Sequence, residues 1–127
     1  MPLVDTAIVA VSPTGNLRLH EAVERLQSCQ AIRSLTVVLA DGRQAKAPQT
    51  ILSALRRAGR EMAGIRLSGV AWGNLADPCA AAIEVTRHIG VRTDYAVNDV
   101  LLPIYPRDAV EKALTRYDRL YRRFHCP

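Results

Sequence analysis

The chain has 127 residues, of which 49% are hydrophobic and 23% are charged, and its formal net charge at pH 7 is +5. This length suits a single domain covering residues 1–127, and the composition is that of a globular protein and not of a disordered chain. The longest apolar runs fall well short of the roughly 20 residues that a membrane helix requires. We therefore expect one globular domain without a membrane span.

The cysteines indicate the compartment. Cys29, Cys79 and Cys126 are odd in number and form no CxxC pair, which argues against a disulfide framework and a thiolate zinc site. The three histidines are widely separated and give no metal-ligand spacing. Free thiols are typical of a reducing environment, so we expect a cytoplasmic protein that holds no metal.

Strand and helix patterns alternate along the chain. Short β-branched runs predict buried strands, and apolar residues three and four apart predict amphipathic helices. Two prolines make residues 98–106 irregular. The predicted strands are 7–11, 35–40, 65–72 and 91–97, and the predicted helices are 17–30, 48–62, 77–88 and 107–124. This order predicts an α/β fold with three layers, α/β/α, around a mainly parallel sheet of four or five strands.

Ligands of open α/β sheets bind beyond the carboxyl ends of the strands, and the loop after the first strand has suitable chemistry. Ser12, Thr14, Gly15 and Asn16 offer hydroxyls, backbone N–H groups and the start of a helix to a phosphate. The alternative is an ordinary turn in which Thr14 or Asn16 caps the helix.

Aromatic residues stand near two other strand ends. Trp72 ends the third strand and Asn74 lies in the loop after it, while Tyr95 lies in the fourth strand. Trp72 would stack on a flat ring, with Tyr95 or Tyr105 as the opposite wall. The alternative is ordinary packing, in which these aromatic residues cover or belong to the core.

The stretches AIVAVSPTGNLRLHEAVERL and GIRLSGVAWGN resemble two parts of the flavodoxins, the phosphate loop with its flanking strand and helix and the loop whose aromatic residue covers the flavin. The resemblance covers about residues 6–98 and implies a flavodoxin-like, broadly Rossmann-like fold. It also implies FMN as cofactor, with Ser12, Thr14, Gly15 and Asn16 at the phosphate and Trp72 and Tyr95 at the ring.

A competing resemblance covers IRLSGVAWGNLADPCAAAIEVTRHIGVRTDYAVND, which is similar to the central strand, helix and strand of STAS regulatory domains. Residues 73–79 contain no serine or threonine, so the phosphorylated residue of that family is missing. The resemblance then implies a partner-binding module without a phosphorylation switch.

Two further features carry candidate chemistry. Cys79 stands near the start of a helix, which stabilises a thiolate and so predicts a reactive thiol; the alternative is a small buried residue. The last helix is basic, and its predicted partner surface consists of Arg116, Arg119, Arg122 and Arg123. The alternative is an ordinary helix with internal pairs such as Asp118 with Arg122, four residues apart.

Taken together, the sequence favours a small interaction or regulatory module that binds a protein partner or forms a homo-oligomer. Nucleic acid is compatible with the positive charge, but no motif indicates it. Two alternatives remain open: a phosphate-bearing ligand such as FMN at the strand-end loops, and thiol chemistry at Cys79.

Overall fold

Strands and helices alternate through most of the chain. The computed structural model describes residues 4–11, 15–40, 42–46, 48–58, 61–68 and 75–125. The elements in chain order are β1 (Val4–Val11), β2 (Leu17–Arg18), α1 (Leu19–Gln27), β3 (Ile32–Val38), β4 (Gln44–Ala45), α2 (Pro48–Ala58), β5 (Met62–Ser68), α3 (Ala76–Ile89), β6 (Thr93–Val97), β7 (Val100–Ile104) and α4 (Val110–His125). The predicted α/β class is confirmed.

All the strands belong to one mixed sheet with the order β4-β3-β1-β5-β6-β7, and the short β2 also pairs with β5. β1 is parallel to β3 and β5 is parallel to β6, whereas the β1–β5 and β6–β7 pairs are antiparallel. The sheet is thus mixed where a mainly parallel one was predicted.

The connection between β3 and β5 explains the change of direction. The chain turns back after β3 and pairs β4 antiparallel to it, with Gly42 in the turn at a φ of +89° that favours glycine. Because of this reversal, α2 leads into β5 at the same sheet edge where β3 ends.

The sheet buries one face. In β5, Ala63, Ile65 and Leu67 are buried, whereas the alternating residues Gly64 and Arg66 are not. The same alternation recurs in β6 and β7, as expected when only one face packs on a core. Helices α1, α3 and α4 pack on the buried face, and α2 contacts α1 and β4. Within the described ranges the structure has one helical layer on the sheet, and the second predicted layer is not seen.

Between the helices and the sheet lies the hydrophobic core. The inner stripe of α1 is completely buried and packs against the sheet, and each such leucine or valine contributes about 1.5–3 kcal/mol by leaving water. The stripe consists of Leu19, Ala22, Val23 and Leu26. No helix in the described part is both long and apolar enough to cross a membrane.

The segment predicted to be irregular contains an additional strand. Asn98 and Asp99 have φ values of 48° and 64°, the left-handed geometry of a two-residue hairpin turn, and β7 follows directly. Pro103 is compatible with β7 because this is an edge strand, where a missing N–H breaks no ladder hydrogen bond. The carbonyl of Pro103 accepts a hydrogen bond from Arg116 Nη1 at 2.7 Å.

Candidate binding site on the open sheet face

The antiparallel β5 separates the loops that were predicted to share a pocket. Val11 at the end of β1 pairs with Ala63 near the start of β5, whereas Ser68 at the end of β5 pairs with Thr6. The two strands therefore end at opposite edges of the sheet, about 17 Å apart over five residues. This direction argues against a single pocket that holds both the first loop and Trp72. Four of the predicted ligand residues, Ser12, Thr14, Trp72 and Asn74, lie outside the described residues.

The described part of the first loop does not open onto a helix start. Gly15 passes so close to β5 that a Cβ there would lie 2.4 Å from the carbonyl carbon of Ala63. The strand β2 then separates the loop from α1, whose N-cap residue is Arg18 without a side-chain cap. Asn16 therefore does not cap α1. The first helical N–H, that of Leu19, donates to the carbonyl of Glu61 at 2.8 Å, so this donor is already used.

Tyr95 and Cys79 belong to the core. Tyr95 is 1% exposed and Cys79 is completely buried, so a ring on the surface would not reach Tyr95. Burial raises the pKa of the Cys79 thiol to about 11, which keeps it protonated at neutral pH. Burial therefore disfavours the reactive thiolate that the sequence predicts at this helix start.

A concavity of about 500 Å³ lies on the open face of the sheet, between β3, β1, β5 and the start of β6. Its floor is a row of small or apolar residues that are partners in register across three strands, namely Val38, Ala10 and Gly64. The neighbouring row, Ile8, Arg66 and Asp94, borders one side. Gly15 and Asn16 border the other side, and Val91 with Arg92 closes one end. We call this concavity the trough.

Charges in the trough are unevenly paired. Asp94 Oδ1 accepts hydrogen bonds from Arg92 Nη2 at 3.0 Å and from Arg92 Nε at 3.3 Å. Arg66 stands directly opposite Asp94 in the register of β5 and β6. It is exposed, and it makes no hydrogen bond or ion pair with any residue in the described ranges. An arginine without a partner beside an apolar floor offers a planar fork of donors to a carboxylate or phosphate.

Sequence reasoning missed the trough, although the signal is present. The segment MAGIRLS alternates apolar and non-apolar residues with Arg66 in its middle, and TDYAV repeats the pattern around Asp94. A charge in the middle of such an alternation indicates a strand with one solvent-facing side.

Only part of the basic last helix is free. Arg116 forms two hydrogen bonds to the buried carboxylate of Asp108, at 2.7 and 3.1 Å, and so is not available to a partner. The predicted pair of Asp118 with Arg122 is present at 3.3 Å, between side chains that are 60% and 73% exposed. Arg119 and Arg123 are exposed. The predicted partner surface thus loses Arg116 to an internal ion pair.

The ion pair of Asp108 and Arg116 is linked to the trough through Tyr105. Tyr105 donates its backbone N–H to Asp108 Oδ2 at 2.9 Å. The guanidinium carbons of Arg116 and Arg92 lie 5.2 and 5.7 Å from the centre of the Tyr105 ring, within the range of cation–π contacts. Arg92, at one end of the trough, is therefore held by Asp94 and by Tyr105.

One arrangement resembles a catalytic pair but lacks its chemistry. Ser28 Oγ lies 3.0 Å from His88 Nε2, and it also donates to the carbonyl of Arg25 at 2.9 Å. A hydroxyl that donates to a carbonyl only accepts from the imidazole, so it is not activated for attack. Among the described residues, no group of three or more histidines, cysteines or carboxylates is placed to hold a metal.

Comparison of the chain with known protein families, with curated proteins and with solved structures finds no match.

Proposed function

We propose that this chain is a binding module that acts through the open face of its sheet, and that the trough is its binding site. The observation that carries this proposal is the trough itself, a concavity of about 500 Å³ with an apolar floor and an arginine, Arg66, that has no partner among the described residues. A few directed polar groups around an apolar surface are typical of ligand sites, and this volume lies within their usual range.

The alternatives have less support. Burial of Cys79 disfavours thiol chemistry, and internal pairing of Arg116 and Arg122 weakens the last helix as a partner surface. A flavodoxin-like FMN site would need the loops after β1 and β5 at one sheet edge, and these strands run in opposite directions. A phosphate-bearing ligand remains compatible with the proposal if it lies on the sheet face and not at the strand ends.

A fragment screen followed by NMR tests the location of the site. Uniformly ¹⁵N-labelled protein is titrated with a library of small polar and apolar fragments, and the shifts of the backbone amides are mapped onto the sheet. We expect the fragments that bind to shift the amides of Ala10, Val38, Gly64 and Arg66 together.

A substitution that fills the trough provides the control. Ala10→Phe places a large side chain on the trough floor, while Ala40→Phe adds the same ring at an exposed position after β3. We expect binding to disappear in A10F and to persist in A40F. Fragments that shift only the amides of α4, or that bind A10F unchanged, would show that the proposal is wrong.

A further inference from the structure

Resting on the proposed function, the geometry points to the class of ligand: we infer that the trough binds a small molecule with a flat apolar body and one anionic group, and that Arg66 anchors the anion. Carboxylate and phosphate are the two groups that the guanidinium would recognise.

The shape of the floor favours a flat body. Val38, Ala10 and Gly64 stand side by side on neighbouring strands, so the floor spans two strand spacings, or about 10 Å. Because Gly64 has no side chain and Ala10 has only a methyl group, the floor lies close to the backbone of the sheet. The flanking row with Ile8 and Arg66 carries longer side chains, and on the opposite side the chain passes over the backbone of Ala63 at Gly15. A ring system laid on the floor would contact the apolar row with one face.

The charge pattern favours one anion. The described residues that line the trough include two arginines and one carboxylate, Asp94. Arg92 donates from Nε and Nη2 to Asp94, which leaves Arg66 as the cation without a carboxylate among these residues. Since a guanidinium presents two parallel N–H groups to a planar acid, Arg66 both attracts the anion and fixes its orientation.

Two larger occupants fit less well. Single-stranded nucleic acid is usually held on an open sheet by aromatic side chains that stack on its bases. None of the described residues that line the trough is aromatic. A protein partner of ordinary affinity buries about 800 Å² on each side of the interface, far more than a floor of three residues with small or medium side chains.

Three related probes test this inference: 2-naphthoate, 2-naphthyl phosphate and the uncharged 2-naphthamide. Isothermal titration with each probe is combined with ¹⁵N shifts that locate the bound ring. We expect at least one anion to bind in the trough with a Kd ten or more times lower than that of the amide. The better of the two anions identifies the group that Arg66 recognises.

Variants assign the anion contact to one side chain. Arg66→Gln should weaken the preferred anion about tenfold and leave the amide unaffected, while the matched control Arg119→Gln on α4 should change neither. Asp94→Asn should tighten the anion several-fold, because it removes the competing negative charge. If all three probes bind the trough equally, or if R66Q and R119Q behave alike, the anion inference is wrong while the proposed function stands. If none of the probes and no fragment binds the trough, both are wrong.

Discussion

Replacing Asp108 by asparagine should destabilise the protein more than any other removal of a single charge in the described ion pairs. Asp108 is 3% exposed, and Arg116 holds both of its carboxylate oxygens. Breaking a fully buried ion pair costs about 3–5 kcal/mol, whereas exposed pairs contribute about 0–1 kcal/mol. Since the side chain of Arg116 is 22% exposed, we expect a loss of about 2 kcal/mol in the free energy of unfolding, or roughly 8 °C in Tm.

The pH dependence of this loss has a definite sign. Burial alone would raise the pKa of Asp108, but the hydrogen bonds and charge of Arg116, with the backbone N–H of Tyr105, hold this pKa below its usual value. A carboxyl group whose pKa is lower in the folded state stabilises the protein above its unfolded pKa, and this stabilisation disappears as pH falls through the folded value. Wild type and D108N should therefore differ fully at pH 7 and converge in strong acid.

Urea unfolding at pH 7 and at a series of acidic pH values measures this difference. Asp118→Asn is the matched control, since it removes the exposed pair with Arg122 and should cost less than about 0.5 kcal/mol. The reasoning is refuted if D108N and D118N lose equal stability at pH 7, or if the effect of D108N grows as pH falls.

Three other substitutions or measurements test separate parts of the structure. Gly15→Ala should cost about 3 kcal/mol in urea unfolding, because its Cβ meets the backbone of Ala63 at 2.4 Å; a loss below 1 kcal/mol would contradict this contact. Asp99→Gly should raise the free energy of unfolding by about 0.5 kcal/mol, since glycine adopts the positive φ of the β6–β7 turn more readily, and an unchanged or lower value would argue against this turn. Alkylation followed by peptide mass spectrometry should label Cys79 at least a hundredfold more slowly at pH 7 than after unfolding, because its pKa rises from 9.0 to about 11; equal rates in both states would indicate an accessible thiol.

The α/β class could be predicted from the sequence because it follows from local periodicity. The apolar spacing of Leu19, Val23 and Leu26 defines the inner stripe of α1 whatever the rest of the chain does. The predicted ends of helices and strands were less accurate where they depend on tertiary contacts. Met62, assigned to the second helix by its spacing, begins β5, and α4 starts at Val110 and not at residue 107.

Strand direction could not be predicted in the same way, because it depends on the path of a connection and not on the composition of a strand. The sequence of β5 is compatible with a strand that runs in either direction. The reversal into β4 determines at which end of the neighbouring strands β5 begins. β7 was missed because Pro103 counts against a strand locally. Its compatibility with strand structure depends on β7 lying at the sheet edge, which is a property of the whole fold.

The reversed direction of β5 moves the candidate site from the edge of the sheet to its face, and this changes which charges matter. If the site were a phosphate loop at the strand ends, the net charge of +5 would indicate a general electrostatic attraction for an anion. In the folded chain, three of the candidate arginines already hold a carboxylate: Arg116 pairs with Asp108, Arg122 with Asp118 and Arg92 with Asp94. An arginine that already holds a carboxylate must give up that partner before it binds another anion, so its contribution to affinity is small. Arg66 has no such cost within the described structure, and unlike the exposed Arg119 and Arg123 of the last helix it lies beside an apolar floor. We therefore expect Arg66 to contribute more to anion recognition than the basic residues of the last helix.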